Sequence, residues 1–239
     1  MTHDRHIWNA GELLARAAAG LKKAELALRR EQAVRGLDAL SEIELHPLLA
    51  SGLREHALGV LREQPYPGVA PGRRKRAERS RCDLVLLPSP GLKLRDPVEE
   101  LIKAEAQAST LFAHVEPAPA PGTISSREAY WLEVKCVGQH TYTHGVPGPN
   151  RSYSSEIIHA HAEDLAKLAQ EASIERGGLL VVLFTEGPEI ATHDLAIALG
   201  KAADKGLPLR SPESAGFEIL DRIGNTWCEL SLIEISPVR

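Results

Sequence analysis

Apolar residues recur with helical spacing in two regions near the start of the chain. Over residues 14–28 they line one helical face, and Asn9 and Glu12 just before them have the spacing of a capping box. A second stripe predicts a helix over residues 41–61, ended by the Gln-Pro pair that follows. We interpret residues 1–38 as an N-terminal helical arm, which either packs on the main domain or mediates a homodimer.

Shorter segments have the length and composition of strands. The apolar runs CDLVLL, AYWLEVKCVG and GGLLVVLFTE predict strands over residues 82–87, 129–138 and 177–186. The last of these is the most apolar and is expected to be central. Two more strands are predicted around Gly224-Asn225. Helical patterns follow the second and third strands, so we expect an α/β fold, a mixed central sheet with helices on both sides.

The main domain is predicted to cover residues 39–239, with a long insertion at residues 88–128. The insertion contains a helical pattern in which Asp96 is the cap and Pro97 is the first helical residue. After the helix, the sequence EPAPAPG predicts a semi-rigid, extended link. The insertion accounts for the long separation between the first two predicted strands.

The composition fits one large domain, or a domain with an appendage. The chain has 239 residues and is 43% hydrophobic, which is ample for a sizeable core. A net charge of −4 is unlike that of a protein that coats nucleic acid, so any polyanion site must be local. The cysteines form no CxxC pair, no apolar stretch is long enough for a bilayer, and the first residues are not a secretory signal. We therefore expect a cytoplasmic protein without membrane contact.

Three ionisable residues interrupt the apolar strand patterns. Glu133 and Lys135 stand two apart in AYWLEVKCVG, so both would leave one face of the strand, and Asp83 lies within CDLVLL. An edge strand with an exposed ion pair would explain Glu133 and Lys135 alone. If Asp83 and Glu133 meet, their charges repel unless a cation lies between them, and Mg²⁺ prefers such oxygen ligands. This favours a divalent-metal site with Lys135 beside the water shell of the ion.

A strand aspartate followed by a strand Glu-x-Lys resembles the motif of the PD-(D/E)XK nuclease superfamily, which has the restriction-endonuclease-like fold. The resemblance implies that Asp83 and Glu133 are catalytic carboxylates that bind the metal ion. It also implies that the backbone carbonyl of Val134 is a further metal ligand. Lys135 corresponds to the catalytic lysine of the family.

The resemblance spans roughly residues 40–190 and sets the functional expectation. It implies a metal-dependent nuclease that uses Mg²⁺ or Mn²⁺ and acts on nucleic acid, most commonly DNA. Cys82 departs from the family, which often has proline before the aspartate. The alternative is a non-catalytic module on the same fold that binds nucleic acid or protein. The sequence contains no Walker, GxSxG, dinucleotide-binding or HExxH motif.

Other residues could contact the substrate or a different metal. A basic run leads into the strand of Asp83 and is expected to meet phosphates, and Gln139, just past the Glu-x-Lys strand, is a further polar candidate. Cys136, His140 and His144 are evenly spaced, but the spacing matches no known zinc ligand frame, so we favour satisfied or exposed histidines over a zinc site. The basic run consists of Arg73, Arg74, Lys75, Arg76, Arg79 and Arg81.

The family often supplies one more acidic residue from the helix before the first motif strand, and SEIELHP offers two. Ser41 and Glu44 have capping-box spacing, so Glu44 could serve only as a cap. Pro47, however, suits a first turn better than a helix interior, and a kink there would let Glu44 turn toward the sheet. We therefore expect Glu44, rather than Glu42, to join the metal site.

Overall fold

A computed structural model describes residues 8–55, 57–68, 80–108, 120–207 and 209–235. The strands are β1 (Gly59–Pro65), β2 (Arg81–Leu87), β3 (Lys93–Leu94), β4 (Thr123–Ile124), β5 (Tyr130–Gly138), β6 (His140–Thr143), β7 (Val146–Pro149), β8 (Gly177–Thr185), β9 (Glu213–Glu218) and β10 (Trp227–Glu234). The helices are α1 (Ala10–Arg30), α2 (Glu42–Arg54), α3 (Pro97–Ala108), α4 (Tyr153–Ser155), α5 (His161–Gln170) and α6 (Pro188–Asp204). A 3₁₀ turn, Leu37–Ala39, precedes α2, and a π-helical stretch, Glu156–Ala160, joins α4 to α5.

The central sheet has six strands in the order β1-β2-β5-β8-β10-β9. β5 and β8 run parallel, with Leu132 opposite Gly178, and the other neighbours in this sheet are antiparallel. Every residue of β8 is buried, as expected for a central strand with helices on both faces. The mixed α/β class predicted from the sequence is thus confirmed.

Helices cover both faces of the sheet. One core lies under α1 and α2, and a second core lies under α5 and α6. α1 and α2 approach closely at two glycines: a Cβ on Gly20 would lie 2.4 Å from the carbonyl oxygen of Leu48, and one on Gly52 would lie 2.2 Å from that of Arg16. Any larger side chain at either position would push the helices apart.

The apolar face of α1 is buried within the chain, where Leu13, Leu14 and Leu21 enter the core. The helix begins as predicted, because Oδ1 of Asn9 accepts a hydrogen bond from the amide of Glu12 at 2.9 Å. A homodimer through this helix stays a prediction and would have to use its charged outer face.

Residues 59–65 form strand β1, where the apolar pattern predicted the last turns of a helix. α2 ends at Arg54, and Ala57 has a φ of 61°, which interrupts helical backbone. Val60 is buried on β1 and also fits the apolar stripe of the preceding helix, so the spacing of apolar residues there is compatible with both a helix and a strand. The helix predicted over residues 41–61 was therefore too long, and one strand was missed.

Other predicted elements are present with changed boundaries. α3 starts at Pro97, and Oδ1 of Asp96 accepts from the amide of Val98 at 3.0 Å, as expected for a cap. The predicted C-terminal pair is β9 and β10, joined by the longer connection 219–226. The loop predicted after β5 instead contains the hairpin β6–β7, whose turn residues His144 and Gly145 both have positive φ.

Candidate metal centre

The candidate site lies where β2 and β5 separate. Their antiparallel pairing ends at Leu84, which lies opposite Leu132. Asp83 and Glu133 are the next residues on the two strands, and the ladder does not extend to them. β5 continues alongside β8 beyond this point, and within the described residues no strand pairs with its other edge.

Two carboxylates take the place of the missing strand. The amide of Val134 donates to Oδ2 of Asp83 at 2.7 Å, and the amide of Cys136 donates to Oε2 of Glu42 at 3.0 Å. These bonds satisfy two main-chain donors that would otherwise lack a partner. They also fix a residue of β2 and a residue of α2 against the same edge of β5.

His46 completes this group from the same helix as Glu42. The two are four residues apart, which places them on one face of α2. The imidazole is 2% exposed; its Nε2 has no hydrogen-bond partner in the described chain and lies 3.9 Å from Oδ1 of Asp83. Ligand atoms of Glu42, His46 and Asp83 lie within 4.8 Å of one another. Two oxygens and one nitrogen suit a divalent ion, which would also satisfy the buried nitrogen.

Glu133 is buried beside this group, between Asp83 and Tyr66. The hydroxyl of Tyr66 donates a hydrogen bond to Oε1 of Glu133. Burial above all, and then a hydrogen bond with Asp83, raise the pKa of Glu133 to about 8 against the lowering effect of Tyr66. Without a metal ion, these effects favour the protonated form of Glu133 at neutral pH.

Lys135, also on β5, contacts the group with its Nζ 3.3 Å from Oε2 of Glu42. Burial acts to lower the pKa of Lys135, but the attraction of Glu42 and the hydrogen bond between them outweigh it, so that the pKa is raised. The ammonium is therefore charged at neutral pH. Asp164 of α5, which pairs with Lys167 at 2.6 Å, adds to the negative field at Lys135 and Glu133.

Glu44 lies away from this group, contrary to the position expected from the sequence. Its carboxylate accepts from the backbone amide and from the hydroxyl of Ser41, each at 2.7 Å, and forms the capping box of α2. The helix runs through Pro47 without turning Glu44 toward the sheet. Glu42, at the first helical position, is the acidic residue that meets Asp83 and Lys135.

The residues proposed for substrate contact are only partly described. Arg81 is exposed and donates to the carbonyl of Glu63 at 2.9 Å. The side-chain oxygen of Gln139 accepts from the amide of Glu186 at 3.0 Å and so ties the end of β5 to the loop after β8. Neither contact tests a role in binding. Arg73, Arg74, Lys75, Arg76 and Arg79 lie outside the described residues.

The zinc interpretation finds no support in the geometry. Across the ranges that the structure describes, Glu42, His46 and Asp83 form the one group of three with metal-ligand spacing, and it includes none of the three residues considered for zinc. Burial raises the pKa of the Cys136 thiol to about 12, so it does not supply a thiolate at neutral pH.

Two residues of the site were not predicted from the sequence. His46 had one usable signal, the four-residue spacing from Glu42, which places both on the same helical face. Tyr66 lies between Pro65 and Pro67 and carries no signal of its own. Its contact with Glu133 depends on the path of the chain after β1.

Comparisons with protein-family models, with curated proteins and with solved structures found no match. Within the described ranges, no helix combines the length and the apolar composition of a membrane span. What can be said about function therefore depends on the residues of the site and on their arrangement.

Proposed function

We propose that the protein is a metal-dependent nuclease of the PD-(D/E)XK type that hydrolyses phosphodiester bonds in DNA. The observation that carries the proposal is the edge of β5 that pairs with no strand in the described ranges. There, backbone amides hold Asp83 and Glu42 beside Nε2 of His46, which has no hydrogen-bond partner among the described residues. Glu133 and Lys135 belong to the same strand and complete the acidic and basic set of the family motif. The restriction-endonuclease-like fold is part of the proposal and is supported by the mixed sheet and by α2 before β2.

Three residues would hold the metal ion directly: Glu42, His46 and Asp83. Glu133 would add an oxygen once it has lost its proton, and the carbonyl of Val134 is a further candidate. A bound Mg²⁺ or Mn²⁺ neutralises charge on a phosphate and lowers the pKa of a coordinated water. The imidazole nitrogen favours Mn²⁺ over Mg²⁺, because Mg²⁺ binds oxygen ligands by preference.

Lys135 supplies positive charge without occupying a metal ligand position. Its ammonium is anchored by Glu42 at 3.3 Å, which holds it next to the metal-binding oxygens. From there it would stabilise a phosphate oxygen or orient the attacking water. The acidic partner for this lysine is Glu42, on the helix that also carries His46.

The test is cleavage of single- and double-stranded DNA by purified protein with Mn²⁺ or Mg²⁺. We expect nicking or degradation that EDTA stops, with Mn²⁺ at least as effective as Mg²⁺. Asp83→Ala and His46→Ala should reduce the rate by at least about 10²-fold, since each removes a metal ligand. Glu229→Gln is the matched control, because Glu229 is also a buried carboxylate on a strand. It lies away from the site and accepts a hydrogen bond of 2.7 Å from the indole nitrogen of Trp227.

Two results would contradict the proposal. One is the absence of cleavage of DNA and of RNA with either metal ion. The other is full activity in Asp83→Ala. Metal-independent binding of DNA without cleavage would favour the alternative, a binding module on the same fold.

A further inference from the structure

Tyr66 is a buried neighbour of the candidate site that is held by both its backbone and its ring. It directly follows β1, and its amide donates to the carbonyl of Ser80 at 2.9 Å, which extends the pairing of β1 with the chain before β2. The side chain is buried and stacks on Trp131 with ring centroids 5.7 Å apart and an interplanar angle of 16°. Trp131 is itself anchored, because its indole nitrogen donates to the carbonyl of Ser126 at 2.9 Å.

This fixed ring directs a hydrogen bond at one carboxyl group. The hydroxyl of Tyr66 donates to Oε1 of Glu133, a side chain that is only 4% exposed. Burial first, and then the neighbouring Cys82 and Glu133, raise the pKa of Tyr66, so the phenol keeps its proton and acts as the donor. Because Tyr66 contacts Oε1, Oε2 is the carboxyl oxygen of Glu133 that Tyr66 does not contact.

We propose that Tyr66 is a positioning residue of the metal centre, which fixes the rotamer of Glu133 and leaves Oε2 as its single oxygen for a metal ion next to Asp83. This inference rests on the proposed function, because it assigns a geometry to the metal ligand Glu133. It extends that function to a residue outside the motif, which acts through Glu133 and does not touch the metal. Outer-sphere partners of this kind typically change metal affinity by about 10–100-fold when they are removed.

Tyr130 provides a matched control on the same strand as Glu133. It is fully buried, and its hydroxyl donates to Oε1 of Glu234 at 3.1 Å. Tyr130→Phe therefore removes the same type of bond as Tyr66→Phe while leaving the metal site untouched. Both variants keep their aromatic rings, so both should fold with a modest loss of stability.

The experiment is calorimetric titration with Mn²⁺ of the wild type, of both tyrosine variants, of Glu133→Gln and of Tyr66→Phe/Glu133→Gln. We expect Tyr66→Phe to weaken Mn²⁺ binding by about 10-fold or more and Tyr130→Phe to leave it unchanged. In the Glu133→Gln background, Tyr66→Phe should have no further effect, since its partner carboxylate is gone.

Three outcomes would overturn the inference. Wild-type Mn²⁺ affinity in Tyr66→Phe, with weakened binding in Glu133→Gln, would remove Tyr66 from the site and leave the proposed function standing. An equal effect of Tyr66→Phe in both backgrounds would show that it acts through packing and not through Glu133. No Mn²⁺ binding by the wild type would overturn this inference and the proposed metal centre together.

Discussion

Lys135 is the residue whose role can be separated most cleanly from metal binding. Its ammonium contacts Glu42 and has no lone pair to offer a metal ion. We expect Lys135→Met to bind Mn²⁺ close to the wild-type affinity but to cleave about 10²–10⁴ times more slowly. Single-turnover cleavage and Mn²⁺ titration on the same preparation measure the two effects. Lys201→Met, on the last turn of α6, is the control for loss of a lysine charge.

An unchanged cleavage rate in Lys135→Met would contradict the role proposed for this lysine. A loss of Mn²⁺ binding together with activity would instead assign it to the structure of the site, through Glu42.

Glu133 should make the metal-free protein less stable as the pH rises. Its pKa is about 8 in the folded chain against an ordinary value of 4.5, so between these values the folded state holds a proton that the unfolded state has released. Stability therefore falls from about pH 4.5 to about pH 8, by on the order of 4 kcal/mol. Urea unfolding in EDTA at several pH values measures this slope.

Glu133→Gln is the comparison for that slope. Because glutamine does not titrate, its stability should vary less with pH over the same window. If both proteins have the same slope, Glu133 is not the group that holds the proton. Added Mn²⁺ should reverse the trend in the wild type, because metal binding requires the deprotonated carboxylate.

The strand residues of the site could be predicted from the sequence because they interrupt an apolar strand pattern. Asp83, Glu133 and Lys135 stand out as charges within apolar strand patterns, and the structure brings them together. Glu42 and His46 interrupt no such pattern, since both are ordinary residues for a helix. Their position depends on how α2 packs against β5, which no local pattern encodes.

Helix α2 carries two neighbouring carboxylates that make different contacts. Glu44 closes the capping box at the N-terminus of the helix, whereas Glu42 reaches the backbone of β5. We expect Glu44→Gln to lower the melting temperature only slightly and to keep DNA cleavage, because glutamine keeps the capping acceptor but loses the negative charge that suits a helix N-terminus. Glu42→Gln should abolish cleavage. Thermal unfolding and cleavage rates of the two variants measure this difference.

The opposite pattern, in which Glu44→Gln is inactive and Glu42→Gln is active, would return the catalytic role to the residue favoured by the sequence. It would also require Glu44 to leave Ser41 when substrate or metal binds.

Element boundaries were predictable where one chemical signal dominated. Asp96 and Pro97 start α3 as expected, because a cap followed by proline has few other uses. β1 was missed because its buried residues continue the helical stripe of α2, and the interruption at Ala57 has no signature in the sequence. Because β1 was not predicted, Tyr66 was not recognised as a site residue either, since its position depends on where that strand ends.

At the level of the tertiary structure, the contact between α1 and α2 fixes the position of α2, the helix that carries two of the proposed metal ligands. A Cβ on Gly20 would lie 2.4 Å from the carbonyl oxygen of Leu48, so Gly20→Ala must displace one helix. We expect it to cost about 1–3 kcal/mol of unfolding free energy and to weaken Mn²⁺ binding, since α2 carries two ligands. Urea unfolding and Mn²⁺ titration are the measurements.

Gly200→Ala is the control, because Gly200 is also a helical glycine but no described atom lies within 4 Å of the added Cβ. There the substitution should raise stability by about 0.4–1 kcal/mol. Equal stability of the two variants would show that the close approach of α1 and α2 is not required.

The two carboxylates on the edge of β5 also restrict how the proposed activity could be lost during evolution. Asp83 and Glu42 each serve the main chain as hydrogen-bond acceptors, so a change to an apolar residue damages the fold along with the chemistry. Asp83→Asn and Glu42→Gln keep an acceptor oxygen while weakening the ligand. A descendant that retained this fold for binding alone is therefore expected to have Asn or Gln at these positions. In a related sequence, such amides would indicate that catalysis has been lost.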